Sequence, residues 1–279
     1  MTAPARTTER ARRVATFIAT KEHRRFVEFA DAVRRDGYIG LCYGPAGVGK
    51  TISARRYAHW DTAEPLLETW GPREDSDAQV YAALARSRTV LYTPEVKATH
   101  KAVVAELGEL TGRVDICIDQ HLRPDRREYS RRRHSHVELI IVDEADRLTP
   151  SALEYLRDRF DRHHLALLLI GMPGIEKRLA AYPQLYSRIG FAHQYRPLAN
   201  DELAFVLTRH WRRLGLTLDL DDFTDTQAIA AVARITRGNF RLLHRLFTQV
   251  DRIMKINGLR TITLEVIEAA RSTLVIGAE

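Results

Sequence analysis

Cysteine occurs only twice in the 279 residues, at Cys42 and Cys117, each inside an apolar run. Two such thiols build neither a disulfide framework nor a cysteine-rich zinc site, and they suit a reducing compartment. No stretch approaches the roughly 18 uninterrupted apolar residues of a membrane span. Residues 14–19 are too short for a signal-peptide core and run at once into Lys21-Glu22-His23-Arg24-Arg25. A cytoplasmic chain with no membrane partner is therefore expected. Repeats with a period of roughly 20 to 50 residues are missing, and the only compositionally biased stretch is the Arg/His-rich run at residues 121–136. With 45% apolar and 28% charged residues, the remainder has the composition of a folded globular protein, which excludes a disordered or collagen-like chain. At roughly 100 to 200 residues per domain, the length accommodates one large domain or a core with a smaller appendage.

The charge is unevenly placed. Lys and Arg number 43 against 36 Asp and Glu, an excess of +7. Residues 1–36 hold nine basic and five acidic side chains, residues 121–136 hold six Arg against Asp125 and Glu128, and the rest is close to neutral. Cations clustered on a neutral body suit a polyanion, because each neutralised phosphate releases condensed counterions.

Apolar spacing then divides the chain. Phe26, Phe29, Ala30 and Val33 recur at helical intervals behind Thr20, and Gly37 closes this predicted helix at residues 21–35. Residues 38–43 read as a strand, followed by a glycine-rich loop and a helix at 51–60. A further strand is expected at 89–92 and a helix at 99–110, with 111–136 irregular. The continuous apolar runs at 137–142 and 165–170 read as strands buried on both faces of a parallel sheet, separated by a helix at 151–161. Glycine and proline at 171–174 stop the last strand. Beyond Pro197 the apolar residues fall at three- and four-residue spacing, a helical appendage to an α/β core.

Between the first strand and its helix stands Gly44-Pro45-Ala46-Gly47-Val48-Gly49-Lys50-Thr51, the G-x-x-x-x-G-K-[ST] pattern of a phosphate-binding loop. Its glycines let successive N–H groups face one anion, the helix start adds positive potential, Lys50 reaches the β/γ-phosphates, and Thr51 offers a hydroxyl to Mg²⁺. Asp143, at the end of the apolar strand finishing at Val142, supplies the second metal-side oxygen expected of a P-loop ATPase. Glu144 follows, placed to polarise an attacking water. No Asn/Thr-Lys-x-Asp guanine signature is present, which favours ATP. The letters Asp143-Glu144-Ala145-Asp146 also spell the motif of DEAD-box RNA helicases, but those need two α/β domains, and nothing after Pro197 reads as a second one.

In this order of parts the chain resembles an AAA+ ATPase: α/β, with a P-loop NTPase parallel-sheet core and a C-terminal helical lid. On that resemblance residues 1–19 form a basic N-terminal segment, 20–197 the ATPase core and 198–279 the lid. Residues 38–45, the run Ile140 to Leu148 (IIVDEADRL) and the run Leu169 to Arg178 (LIGMPGIEKR) resemble the DNA-transposition regulators of the TniB, TnsC and MuB group, and more distantly IstB-like proteins. The resemblance implies that Arg188, in Ser187-Arg188-Ile189, is an arginine finger for a neighbouring subunit. It also implies that Arg241, in Gly238-Asn239-Phe240-Arg241, is a sensor directed at the phosphates of its own subunit. Many such proteins place Asn or Thr where this chain has Gly171-Met172-Pro173, which implies slow or partner-dependent hydrolysis. The implied partners are duplex DNA read with weak sequence preference, further copies in a ring or filament, and a transposase. Candidate DNA contacts are Lys97, His100, Lys101, Arg113, Arg126, Arg127, Arg131, Arg132 and Arg133. A replication or helicase-loading ATPase, a P-loop small-molecule kinase and a non-hydrolysing DNA-binding scaffold remain as alternatives.

Overall fold

The structure is a computed structural model describing residues 17–72, 74–123, 135–163 and 165–274. Arg126, Arg127, Arg131, Arg132 and Arg133 lie outside the described residues, as do residues 1–16 of the basic N-terminal segment.

Helix α1 (Lys21–Asp36) begins where the Thr20 side chain accepts the His23 N–H at 3.1 Å and ends at Gly37 in the left-handed region. Its Phe26, Ala30 and Val33 face is buried. Strand β1 (Ile39–Tyr43) leads through the glycine-rich loop into α2 (Lys50–Tyr57), α3 (Trp60–Thr69) and α4 (Ala78–Ser87). Then follow β2 (Thr89–Tyr92), α5 (His100–Leu122), β3 (Leu139–Val142), α6 (Pro150–His163), β4 (Ala166–Gly171), α7 (Ile175–Ala180), α8 (Pro183–Tyr186) and β5 (Ile189–Gln194). The strands form one parallel sheet in the order β2-β3-β4-β1-β5. β2, β3 and β4 are buried along their whole length, which is why the last two read as unbroken apolar runs. Because every strand points the same way, the C-terminal ends of β1, β4 and β3 stand side by side along one rim. Ligands of open α/β sheets bind at that rim.

Three sequence expectations needed correction. The helix at 51–60 is two helices, broken at His59, whose φ of 53° lies in the left-handed region. Residues 111–122, read as irregular, continue α5: Val114, Cys117 and Ile118 extend the buried face of Val103 and Leu107. That packing outweighs the roughly 1 kcal/mol helix penalty of Gly112. Edge strand β5 went unread because its residues are only half-buried or exposed and show no apolar run.

Four helices follow, α9 (Asn200–Arg213), α10 (Phe223–Thr236), α11 (Phe240–Asn257) and α12 (Leu264–Ser272). They enclose a second apolar cluster around Val206, Trp211, Val232, Leu246 and Ile267, separate from the sheet core. The buried Trp211 indole donates to Asp225 at 3.1 Å, so its one polar atom is satisfied. The helical C-terminal region expected from the sequence is thus present.

Candidate active site

The glycine-rich loop leaves β1 at the rim and enters α2 at Lys50. Gly47 adopts φ 80°, and a Cβ there would stand 2.5 Å from Asn239 Oδ1 and 2.8 Å from Arg241 Cβ. Only glycine lets the loop and the lid approach so closely. Val48 is buried against the core, and Gly49 turns the chain into α2 with φ 116°. Lys50 is 8% exposed, and its ammonium donates to the carbonyls of Gly44 (2.5 Å) and Pro45 (2.9 Å). Burial lowers its pKa, while the Cys42 thiol and the carboxylates of Asp143, Glu144 and Asp146 oppose that shift.

Thr51 donates its hydroxyl to Asp143 Oδ2 at 2.6 Å, joining the helix start to the end of β3. Asp143 is 4% exposed, and its other oxygen accepts the Glu144 N–H at 2.9 Å. Glu144 sits at φ 54°, a conformation uncommon for a residue with a Cβ and concentrated at functional sites. Its carboxylate is about half exposed and lies 3.9 Å from Arg147, whose guanidinium donates to Pro94 O at 3.0 Å. The acidic turn is thereby tied to the loop after β2, where Val96 and Lys97 are exposed. His100 and Lys101 at the start of α5 are exposed as well.

The lid reaches the loop directly. Asn239 Nδ2 donates to Ala46 O at 2.7 Å and the Arg241 N–H to Gly47 O at 3.2 Å. Arg241 therefore stands over its own loop, on the first turn of α11. Beside it a cavity of about 770 Å³ opens between the residues preceding α1, the start of α2 and the lid. Phe17, Ile18, Ile52 and Phe240 give it an apolar lining, and His23, whose Nδ1 lies 3.0 Å from Ser53 Oγ, a polar edge. This cavity was not read from the sequence, since its walls come from segments far apart in the chain.

Arg188 stands elsewhere. Its carbonyl accepts from Ile39 at the start of β1, the end of the sheet away from the loop. Its guanidinium grips Asp161 on α6 at 2.6 and 2.8 Å. The length of β1, about 13 Å at 3.3 Å per residue, separates it from the phosphate loop of its own chain. Arg113, another candidate DNA contact, is partly buried and its guanidinium is engaged by groups of its own chain. It donates to Leu67 O and Glu109 and lies over the Trp70 ring at 5.4 Å.

These residues fit a nucleoside triphosphate with Mg²⁺: a glycine cradle, a buried ammonium among carbonyls, and a hydroxyl–carboxylate pair facing it. Sheet, loop, acidic turn and helical lid together define a P-loop protein of the AAA+ type. Residues 33–179 match the AAA domain family, and the chain belongs to it. A Staphylococcus aureus protein described as a potential ATP-binding protein is 46% identical over 266 residues, 94% of this chain and 97% of that one. Among solved structures, the Thermotoga maritima RuvB Holliday junction branch migration motor is similar with a TM-score of 0.56 at 18% identity, over 92% of this chain and 70% of that one. The Aeropyrum pernix ORC2 protein in its ADP form is similar with a TM-score of 0.54 at 14% identity, over 92% and 69%. At these identities the two structures bear on fold alone. The protein is of the AAA+ ATPase type and uses ATP and Mg²⁺. No helix among the described residues is long and apolar enough to cross a membrane.

Proposed function

We propose that this protein is an ATP-driven switch that assembles into an oligomer on duplex DNA and marks a target for a transposase. Lys50 holds the triphosphate in the glycine cradle, and the apolar cavity beside Ile52 receives the base. Mg²⁺, when bound through Thr51 and Asp143, supplies positive charge to the phosphates. Glu144 orients a water and accepts its proton as the terminal phosphate is transferred, giving ADP and inorganic phosphate. Arg241 senses the phosphates from the lid of the same chain.

The observation that carries assembly is the place of Arg188. It stands too far from its own loop to act there, on a surface where, among the described residues, a side chain of α6 and a neighbouring carbonyl hold it. A second copy bringing its Arg188 to this loop completes the site with the cation that stabilises transition-state charge. Lys97, His100 and Lys101 offer the phosphate contacts, and the Arg147 bridge links them to Glu144. Phosphate contacts carry no sequence information, which fits weak sequence preference. The transposase rests on the resemblance of the stretches ending at Leu148 and Arg178. The name of the RuvB neighbour, a Holliday junction branch migration motor, leaves a second reading, a DNA-acting ATPase of replication or helicase-loader type with the same site and another partner.

Sedimentation and electron microscopy of the full chain with duplex DNA test the assembly. Large complexes are expected with a slowly hydrolysed ATP analogue and not with ADP. A monomer under both conditions overturns the reading, and the small-molecule kinase then becomes the better one.

A further inference from the structure

The end of β4 lies at the centre of the site. Gly171 pairs with Tyr43, the last residue of β1, and Val142 of β3 pairs with Leu169. Gly171 is therefore level with the Asp143–Glu144 turn on one side and with the mouth of the phosphate loop on the other. At this position between the two, β4 carries no side chain. The structure shows what occupies the space. A Cβ on Gly171 would fall 2.7 Å from Asp146 Oδ2 and 2.4 Å from Ile175 Cδ1. The Asp146 carboxylate reaches over from the turn after β3 and accepts the Met172 N–H at 2.8 Å. Its other oxygen has no hydrogen-bond partner among the described residues. The main chain of the same turn is held by Arg178 on α7, which donates to the carbonyls of Asp146 and Leu148. From α7 the chain passes through α8 into Arg188, whose N–H donates to Leu185 O at 3.0 Å.

Resting on the ATPase reading above, we propose that Asp146 is a positioning residue for hydrolysis. It delivers from β3 the polar group that β4 lacks and, through Met172 and Arg178, couples the Glu144 turn to the α7–α8 segment that carries Arg188. The absence of a polar residue at Gly171 is then a relocation of the group and not its loss. Glycine is required because any side chain there displaces the carboxylate.

The test uses the full chain with duplex DNA, measuring steady-state ATP turnover and amide hydrogen exchange in α7 and α8 with and without a slowly hydrolysed ATP analogue. Asp146→Ala is expected to lower kcat at least tenfold while the KM for ATP stays within twofold. Asp146→Asn retains an acceptor for Met172 and should keep more than half of the wild-type kcat. Gly171→Ala should reproduce the Asp146→Ala defect, and the double variant should be no slower than either single one, the non-additivity expected of a shared contact. Nucleotide should protect α7 and α8 in wild type and not in Asp146→Ala. Additive losses, a wild-type kcat in Asp146→Ala, or equal loss of kcat and nucleotide affinity in that variant would each overturn the proposal. Absent turnover in wild type overturns the ATPase reading instead, and hydrogen exchange then decides whether Asp146 couples the two segments.

Discussion

The lid meets the phosphate loop through few contacts, so one side chain can be asked what that contact contributes. Asn239 serves two ends at once. Its Oδ1 caps α11 by accepting from Arg241 N at 3.0 Å and Leu242 N at 3.2 Å, while its Nδ2 donates to Ala46 O at 2.7 Å. Asn239→Ser separates these roles, because serine caps a helix about as well as asparagine but is too short to reach Ala46. The loss is one hydrogen bond at a solvent-accessible position, about 1 kcal/mol. If nucleotide binds the lid-docked form, that amount weakens ATP binding about fivefold. Asn239→Ala loses the cap as well, about 1 kcal/mol more, and that further loss falls on helix stability. Titration with a fluorescent ATP analogue, alongside urea unfolding, should therefore show similar weakening of binding in both variants and a lowered unfolding midpoint only in Asn239→Ala. Wild-type affinity in Asn239→Ser would refute the idea that docking of the lid onto Ala46 contributes to nucleotide binding. Gly47→Ala should exceed both, since its Cβ would strike Asn239 and Arg241 from a strained left-handed backbone.

Lys50→Ala should abolish nucleotide binding, whereas Glu144→Gln should bind normally and lose about 100- to 10,000-fold in turnover; equal turnover in Glu144→Gln and wild type excludes Glu144 as the group that activates water. Arg188→Ala and Glu144→Gln subunits should each be inactive alone and regain ATPase activity when mixed, measured on DNA, because the mixture contains sites with an intact Glu144 facing an intact Arg188. His210 of the lid is stacked on Phe247 at 4.5 Å, and burial, with Arg213 and His244 nearby, lowers its pKa from 6.5 to about 4. The unfolded chain takes up that proton first, so stability is full above pH 6.5 and falls as the pH drops toward 4, by on the order of 2–3 kcal/mol. His210→Gln should lose less than wild type over that window in urea unfolding.

Local signals account for what the sequence made legible. The phosphate loop is contiguous, and each of its residue types has a backbone or charge reason, so Gly44 to Thr51 and Asp143 could be named before any contact was seen. Capping did the same for α1, where Thr20 and Gly37 mark both ends. The misses share a different cause. β5 gains its place from pairing with β1, and its Phe191 and His193 alternate with exposed neighbours, so nothing in its own composition signals burial. The partners of Arg113 have no local signal either, because Trp70 and Leu67 lie more than forty residues earlier in the sequence. The cavity between α1, α2 and the lid has no sequence signature for the same reason, since Phe17, Ile52 and Phe240 come together only in three dimensions.

The letters Asp-Glu-Ala-Asp show how position in the sheet, and not spelling, assigns a role. Asp143 and Glu144 follow the strand, and Asp143 meets the end of the phosphate loop through Thr51. Asp146 is two residues further on, within a 3₁₀ turn (Ala145–Arg147) from which its carboxylate reaches the end of β4. A carboxylate can fill that space only because Gly171 leaves it open, and an open space there would leave Met172 N–H without this partner if Asp146 were apolar. The two residues thus constrain one another across 25 positions of sequence. A second-site search starting from Gly171→Ala should therefore return substitutions that shorten residue 175, the apolar side chain its Cβ would strike, and none that remove the carboxylate at residue 146. Suppressors clustering in the phosphate loop instead would mean that Gly171 serves the nucleotide directly and that its pairing with Asp146 is incidental.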